Sequence, residues 1–79
     1  MAQVTVRYWA GAQAAAGLEQ EVLEAGELGE LVRVLAHRDP ALAEVLSVSS
    51  LLVDGLISPP SRALADGETV EVLPPFAGG

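Results

Sequence analysis

The chain has no cysteine and no lysine among its 79 residues, and only one histidine, one tryptophan, one tyrosine and one phenylalanine. Each shortage removes a class of chemistry. Without cysteine there are no disulfides, thiolate metal sites or iron–sulfur clusters, and no redox argument about compartment. Without lysine, no side-chain amine is available for self-conjugation. A lone histidine, His37, gives no metal site. Next to Arg38, near a helix end, it reads as a surface residue complementing the helix dipole. No serine stands in a nucleophile-elbow motif, and no glycine run has the phosphate-cradling pattern. No apolar stretch approaches the ~20 residues of a membrane span, and residues 1–9 lack the apolar core of a signal peptide. A cytoplasmic protein is expected.

Positive charge is scarce too. Eleven acidic residues against four arginines leave a net charge of −7. That argues against nucleic acid and anionic membrane as partners. It favours a partner with a basic face. The length fits one domain, and a hydrophobic fraction of 51% fits a small, efficient core.

The segment Val4 to Trp9 alternates with period two and predicts a strand, with Val4, Val6 and Tyr8 on one face. Trp9, on the other face, reads either as a partner contact or as a core aromatic at the strand end. Ala10 to Gly17 predicts an alanine-rich helical turn bounded by glycines. Glu19 to Leu23 predicts a second strand, with the side carrying Glu19 and Glu21 solvated. The main helix is expected from Gly26 to Arg38, with Leu28, Leu31, Val32 and Leu35 as its apolar stripe. Asp39 is the expected N-cap of a short second helix, with Pro40 at its first position, continuing to Leu46. Ser50 to Val53 and Leu56 to Ser58 are strands joined by Asp54-Gly55, a type I′ hairpin signal. The last strand, Thr69 to Leu73, points Val70 and Val72 at the core. These elements predict an α+β arrangement: a mixed sheet of about five strands packed on one main helix.

The chain closes on Leu73-Pro74-Pro75-Phe76-Ala77-Gly78-Gly79. Proline cannot donate to a strand ladder, so the strand must stop at Pro74. Paired prolines favour a stiff, projecting form. Residues 1–73 are therefore expected to form the folded domain and residues 74–79 a flexible projecting tail. Extended, those six residues reach ~20 Å. Gly78 and Gly79 supply backbone thin enough for a narrow channel, ending in the α-carboxylate of Gly79. No other group in the chain stands out as a reactant, so any chemistry is expected there.

These stretches together resemble a known family. The residues are Val4 to Gly11, Gly26 to Leu42, Val53-Asp54-Gly55, and Leu64 to Gly79, of which the last sixteen are the most specific. They are similar to the ubiquitin-like β-grasp sulfur carriers of the MoaD/ThiS family, and most of all to the small subunits of molybdopterin synthases. Gln13-Ala14 and Pro59-Pro60 depart from the usual pattern. The resemblance implies a non-catalytic carrier whose Gly79 is adenylated by a MoeB/ThiF-like adenylyltransferase using ATP and magnesium. A sulfur donor would then convert it to a thiocarboxylate. It also implies a MoaE-like large synthase subunit as partner, with cyclic pyranopterin monophosphate as sulfur acceptor. The sheet face away from the helix, with Pro75, Phe76 and Ala77, would dock to these partners in turn. Other acceptors, in thiamin thiazole, cysteine or tRNA thiolation chemistry, stay open. So does a plain β-grasp interaction module. The segment Asp39 to Ser49 leans toward the molybdopterin type, since thiazole carriers tend to be shorter there.

Overall fold

The computed structural model describes residues 1–75. In chain order the elements are β1 (Ala2–Tyr8), α1 (Gly11–Ala16), β2 (Gln20–Ala25), α2 (Leu28–Arg38), α3 (Pro40–Val48), β3 (Ser50–Val53), β4 (Leu56–Ile57) and β5 (Thr69–Leu73). The sheet runs β2-β1-β5-β3-β4. Its two central strands, β1 and β5, are parallel, and the other pairs are antiparallel. The first and last strands therefore lie side by side and point the same way.

The period-two pattern accounts for the core. Val4, Val6 and Tyr8 of β1, Val70 and Val72 of β5, and Val53 of β3 are buried on one face of the sheet. Leu28, Leu31 and Leu35 of α2 cover them, joined by Leu42 and Leu46 of α3 and Ala12 of α1. Fully burying each of these leucines stabilises by about 2 kcal/mol, so a chain of this length leans heavily on α2. Val32 lies at the edge of the stripe, partly buried.

The expected short second helix is present beside the main one and runs on to Val48, past the expected end at Leu46. The Asp39-Pro40 signal starts a full nine-residue helix, α3. Asp39 caps it, its Oδ1 accepting from the Ala41 amide at 2.8 Å. The expected type I′ hairpin is present: Asp54 and Gly55 both take positive φ, 48° and 85°. Asp54 Oδ1 also accepts from the Thr69 amide at 2.9 Å, tying the turn to β5.

Strand β2 differs from the expected facing. Glu21 lies on the helix side, half-buried, while Val22 is on the open face and exposed. Glu21 accepts from Arg38 at the C-terminal end of α2 and from the Tyr8 hydroxyl at 2.5 Å. An arginine reaching down from the helix makes an inward carboxylate favourable, which alternation of charge along β2 does not reveal.

Helix α2 has no side-chain cap at Glu27. The loop through Pro59-Pro60 supplies carbonyls instead. Leu28 N–H donates to Arg62 O at 2.9 Å and Gly29 N–H to Pro60 O at 2.8 Å. These satisfy amides that the first helical turn leaves unpaired. No helix among the described residues is long and apolar enough to cross a membrane.

Candidate functional site

Strand β5 carries the chain from the sheet's centre towards Pro74-Pro75. Because β1 runs parallel to it, the residues at the end of β1 stand beside the point of departure. Trp9 is held there by its backbone, its amide donating to Val72 O at 3.2 Å. Its indole Nε1 donates to Glu71 Oε2 at 3.1 Å. The guanidinium carbon of Arg7 lies 4.8 Å from the centroid of the Trp9 ring, a cation–π contact.

Among the described residues, no element covers the face of the sheet away from the helices. Across its middle the register places Gln20, Arg7, Glu71, Leu52 and Ile57 in one row, from β2 to β4. Leu73 and Trp9 lie nearer the end where the chain departs. Ile57 is 77% exposed, Leu73 41% and Trp9 39%. Singly, such residues are normal on a surface, but together they make an apolar half-face over β3, β4 and the end of β5. Trp9 is thus a surface aromatic with a satisfied N–H, not a core residue.

Of the expected tail residues, Pro75 is exposed and follows a half-buried Pro74. Phe76, Ala77, Gly78 and Gly79 lie outside the described residues. Among the described residues no group of three or more His, Cys, Asp or Glu side chains converges as a metal site. His37 is exposed in the last turn of α2, where the dipole reading put it. A shallow pocket of about 320 Å³ lies at the start of α2, lined by Gly26, Glu27, Glu30, Arg33 and Ala63. Its Glu30 is occupied locally, accepting from the Gly26 amide at 2.5 Å.

The charged network on the helix side is structural. Burial, then the bond to Glu21, pushes the Tyr8 hydroxyl well above the ordinary tyrosine range. The hydrogen bond from Arg38 holds Glu21 below the usual carboxylate range. Both groups are thereby locked in their neutral-pH forms, the opposite of what proton transfer requires. Sequence reading missed the Arg7–Trp9–Glu71 group as well. Its one signal was Trp9 on a polar strand face. The link to Glu71 depends on the first and last strands pairing.

A mixed sheet with parallel central strands, helices on one face and a chain end leaving from the middle defines the ubiquitin-like β-grasp class. The chain belongs to the ThiS family, whose sequence profile matches residues 6–79. It has the fold of the ThiS/MoaD-type sulfur carriers. A comparison with curated proteins gives no match. Among solved structures, it is similar to the Pyrococcus furiosus protein assigned as subunit 1 of molybdopterin converting factor. That match has a TM-score of 0.86 and 23% identity, covering 96% of this chain and 100% of that one. Subunit 1 or 2 in the Helicobacter pylori molybdopterin-converting factor complex matches at 27% identity and TM-score 0.76, covering 98% and 99%. The small archaeal modifier protein 1 of Methanosarcina acetivorans matches at 24% identity and TM-score 0.85, covering 100% and 98%.

Proposed function

We propose that this chain is the sulfur carrier of a molybdopterin synthase, a cytoplasmic, non-catalytic subunit that works through the carboxylate of Gly79. The observation that carries the proposal is the ThiS-family match extending to Gly79, on a fold whose central strand delivers the chain to Pro74-Pro75.

A carboxylate is a poor electrophile. An adenylyltransferase of the MoeB/ThiF type joins it to the adenylyl group of magnesium-bound ATP, releasing pyrophosphate. A sulfur donor then displaces AMP, leaving a C-terminal thiocarboxylate. That sulfur is a soft nucleophile at the tip of a thin arm, which enters the MoaE-like large subunit. The sulfur bonds to cyclic pyranopterin monophosphate, and water then cleaves the acyl–sulfur bond, leaving sulfur on the acceptor and returning Gly79 to its carboxylate. Residues 1–73 act as the handle and residues 74–79 as the arm. Pro75, Phe76, Ala77 and the open sheet face make the docking surface. The adenylyltransferase and the large subunit use this surface in turn, so they exclude each other. The nine-residue helix α3 supports the molybdopterin assignment over the thiazole one, and the Helicobacter pylori neighbour is a complex of subunits 1 and 2.

A second reading is favoured by the likeness to small archaeal modifier proteins: activation of the same carboxylate, followed by attachment to amines of other proteins. One experiment separates the two. The protein is incubated with the adenylyltransferase, ATP, magnesium and a sulfur source, and its intact mass is measured. A gain matching one sulfur-for-oxygen exchange in the C-terminal peptide is expected, and adding one residue after Gly79 should abolish it without unfolding the domain. An unchanged mass with a demonstrably active enzyme, or the same gain in the extended variant, overturns the proposal. Activation without sulfur gain, with isopeptide-linked products in an extract, supports the modifier reading.

A further inference from the structure

Arg7 and Glu71 are register partners across the parallel β1–β5 pair, on the same open face. Opposite charges at that spacing ordinarily pair with each other. Here Trp9 stands between them. Its edge donates to Glu71, and its face carries the Arg7 guanidinium. Glu71 is therefore already engaged by a hydrogen-bond donor. Arg7 makes no side-chain hydrogen bond or ion pair among the described residues. Its guanidinium carbon sits over the indole ring, 4.8 Å from the centroid, with its N–H donors unspent among the described residues, and a planar fork so placed is suited to bidentate capture of a carboxylate.

The rest of the chain makes this cation singular. Arg38 is spent on Glu21 and Arg62 on Glu68, while Arg33 lines the pocket at the start of α2. Among the described strand residues on the open face, Arg7 is the sole positive charge, in a protein of net charge −7. On the far side of Glu71 the row continues into Leu52 and Ile57, with Leu73 toward the chain's exit. The face is divided: a poised cation over β1, apolar side chains over β3 and β4.

We infer that Arg7 is a specificity-determining residue of this face, held by Trp9 to receive a carboxylate from the large synthase subunit while Leu52, Ile57 and Leu73 take that subunit's apolar side chains. The inference rests on the carrier reading above and adds a local requirement to it. Net charge draws the chain to a basic surface, yet that surface must place one acid opposite Arg7. A second copy of this chain is a poorer occupant, because two bodies of charge −7 repel.

The test uses the full chain and its cognate large subunit. Binding is measured by titration calorimetry at two salt concentrations for the wild type, Arg7→Gln, Arg7→Lys and Leu52→Ala. A 5-fluorotryptophan label gives a single ¹⁹F resonance from Trp9, the only tryptophan. Arg7→Gln is expected to weaken binding by about tenfold or more, and to shrink its salt dependence. Arg7→Lys, a point charge without the fork, should restore only part of that. Leu52→Ala should weaken binding with the salt dependence unchanged. The Trp9 resonance should shift on complex formation. Arg7→Gln binding within about twofold of the wild type, a Trp9 resonance unmoved by the large subunit, or self-association through this face in sedimentation overturns the inference. Thiocarboxylate formation on the wild type, read separately by mass, keeps the carrier reading standing in those cases. Its absence removes both.

Discussion

Two small residues carry strain or crowding that local pattern does not disclose. Ala10 turns the chain from β1 into α1 at φ 47°, ψ −126°, a region where only glycine is comfortable. Ala10→Gly should relieve that cost and leave stability unchanged or raised by up to about 1 kcal/mol, despite the larger entropy of the unfolded glycine. Urea unfolding checks it, and a clear loss of stability would mean the turn is not strained. Gly29 presents the reverse case. A Cβ there would stand 3.1 Å from the Pro60 carbonyl oxygen and 3.2 Å from Pro60 Cβ. Pro60 cannot easily retreat, because its carbonyl accepts from Gly29 N–H and the neighbouring loop is bonded to α2 through Leu28. Alanine's better helix propensity is worth about 1 kcal/mol. Crowding against a rigid proline should outweigh it, so Gly29→Ala is expected to destabilise by about 1–2 kcal/mol net. A variant as stable as the wild type would show that the loop yields.

At the scale of elements, the Tyr8–Glu21–Arg38 group fastens the end of α2 to the edge of the sheet. Its pH signature follows from the directions of the shifts. Glu21 is held below the ordinary carboxylate value, chiefly by Arg38. Its contribution is therefore present above the unfolded glutamate value of ~4.3 and lost as pH falls through the folded value. Tyr8 is held above the ordinary tyrosine value, chiefly by burial. Its contribution is present below ~10 and lost as pH rises through the folded value. Glu21→Gln should therefore lower stability at neutral pH, with the gap to the wild type narrowing as acid is added below ~4.3. Denaturant midpoints measured from pH 3 to 7 decide this, and a gap independent of pH would remove Glu21 from the account. Glu68, lowered by Arg62, remains in both proteins and contributes its own acid dependence.

This group also shows where sequence reading stops. The periodic apolar stripe made α2 legible, and Asp-Gly made the β3–β4 hairpin legible, because both signals are local. The alternation in β2 led to the wrong face for Glu21. The partner that reverses it, Arg38, lies on another element. The length of α3 was underestimated because a cap and a proline mark a start but not an end. Of the candidate site, the chain-terminal residues and Trp9 could be singled out from sequence. The Arg7–Trp9–Glu71 arrangement could not, since it needs the non-local pairing of β1 with β5.

For the whole molecule, charge is the dominant property. With net charge −7, encounter with a basic enzyme surface should be fast at low ionic strength and slow as salt screens it. The expected outcome is that raising salt lowers the association rate with the proposed adenylyltransferase strongly, while the dissociation rate changes little. Stopped-flow mixing measures both, and an association rate indifferent to salt would mean that docking does not use the field of the whole chain.

The central placement of β5 has a mechanical consequence. A pull on the residues beyond Pro75 runs along the axis of a strand bonded on both sides, to β1 at Thr5–Tyr8 and to β3 at Ser50–Val53. Such a load stretches both ladders at once in shear, where a load on an edge strand would peel bonds off one at a time. Gripped beyond β5, this fold should resist force far better than its modest size suggests, and a motor that unravels proteins by pulling on that strand should stall on it.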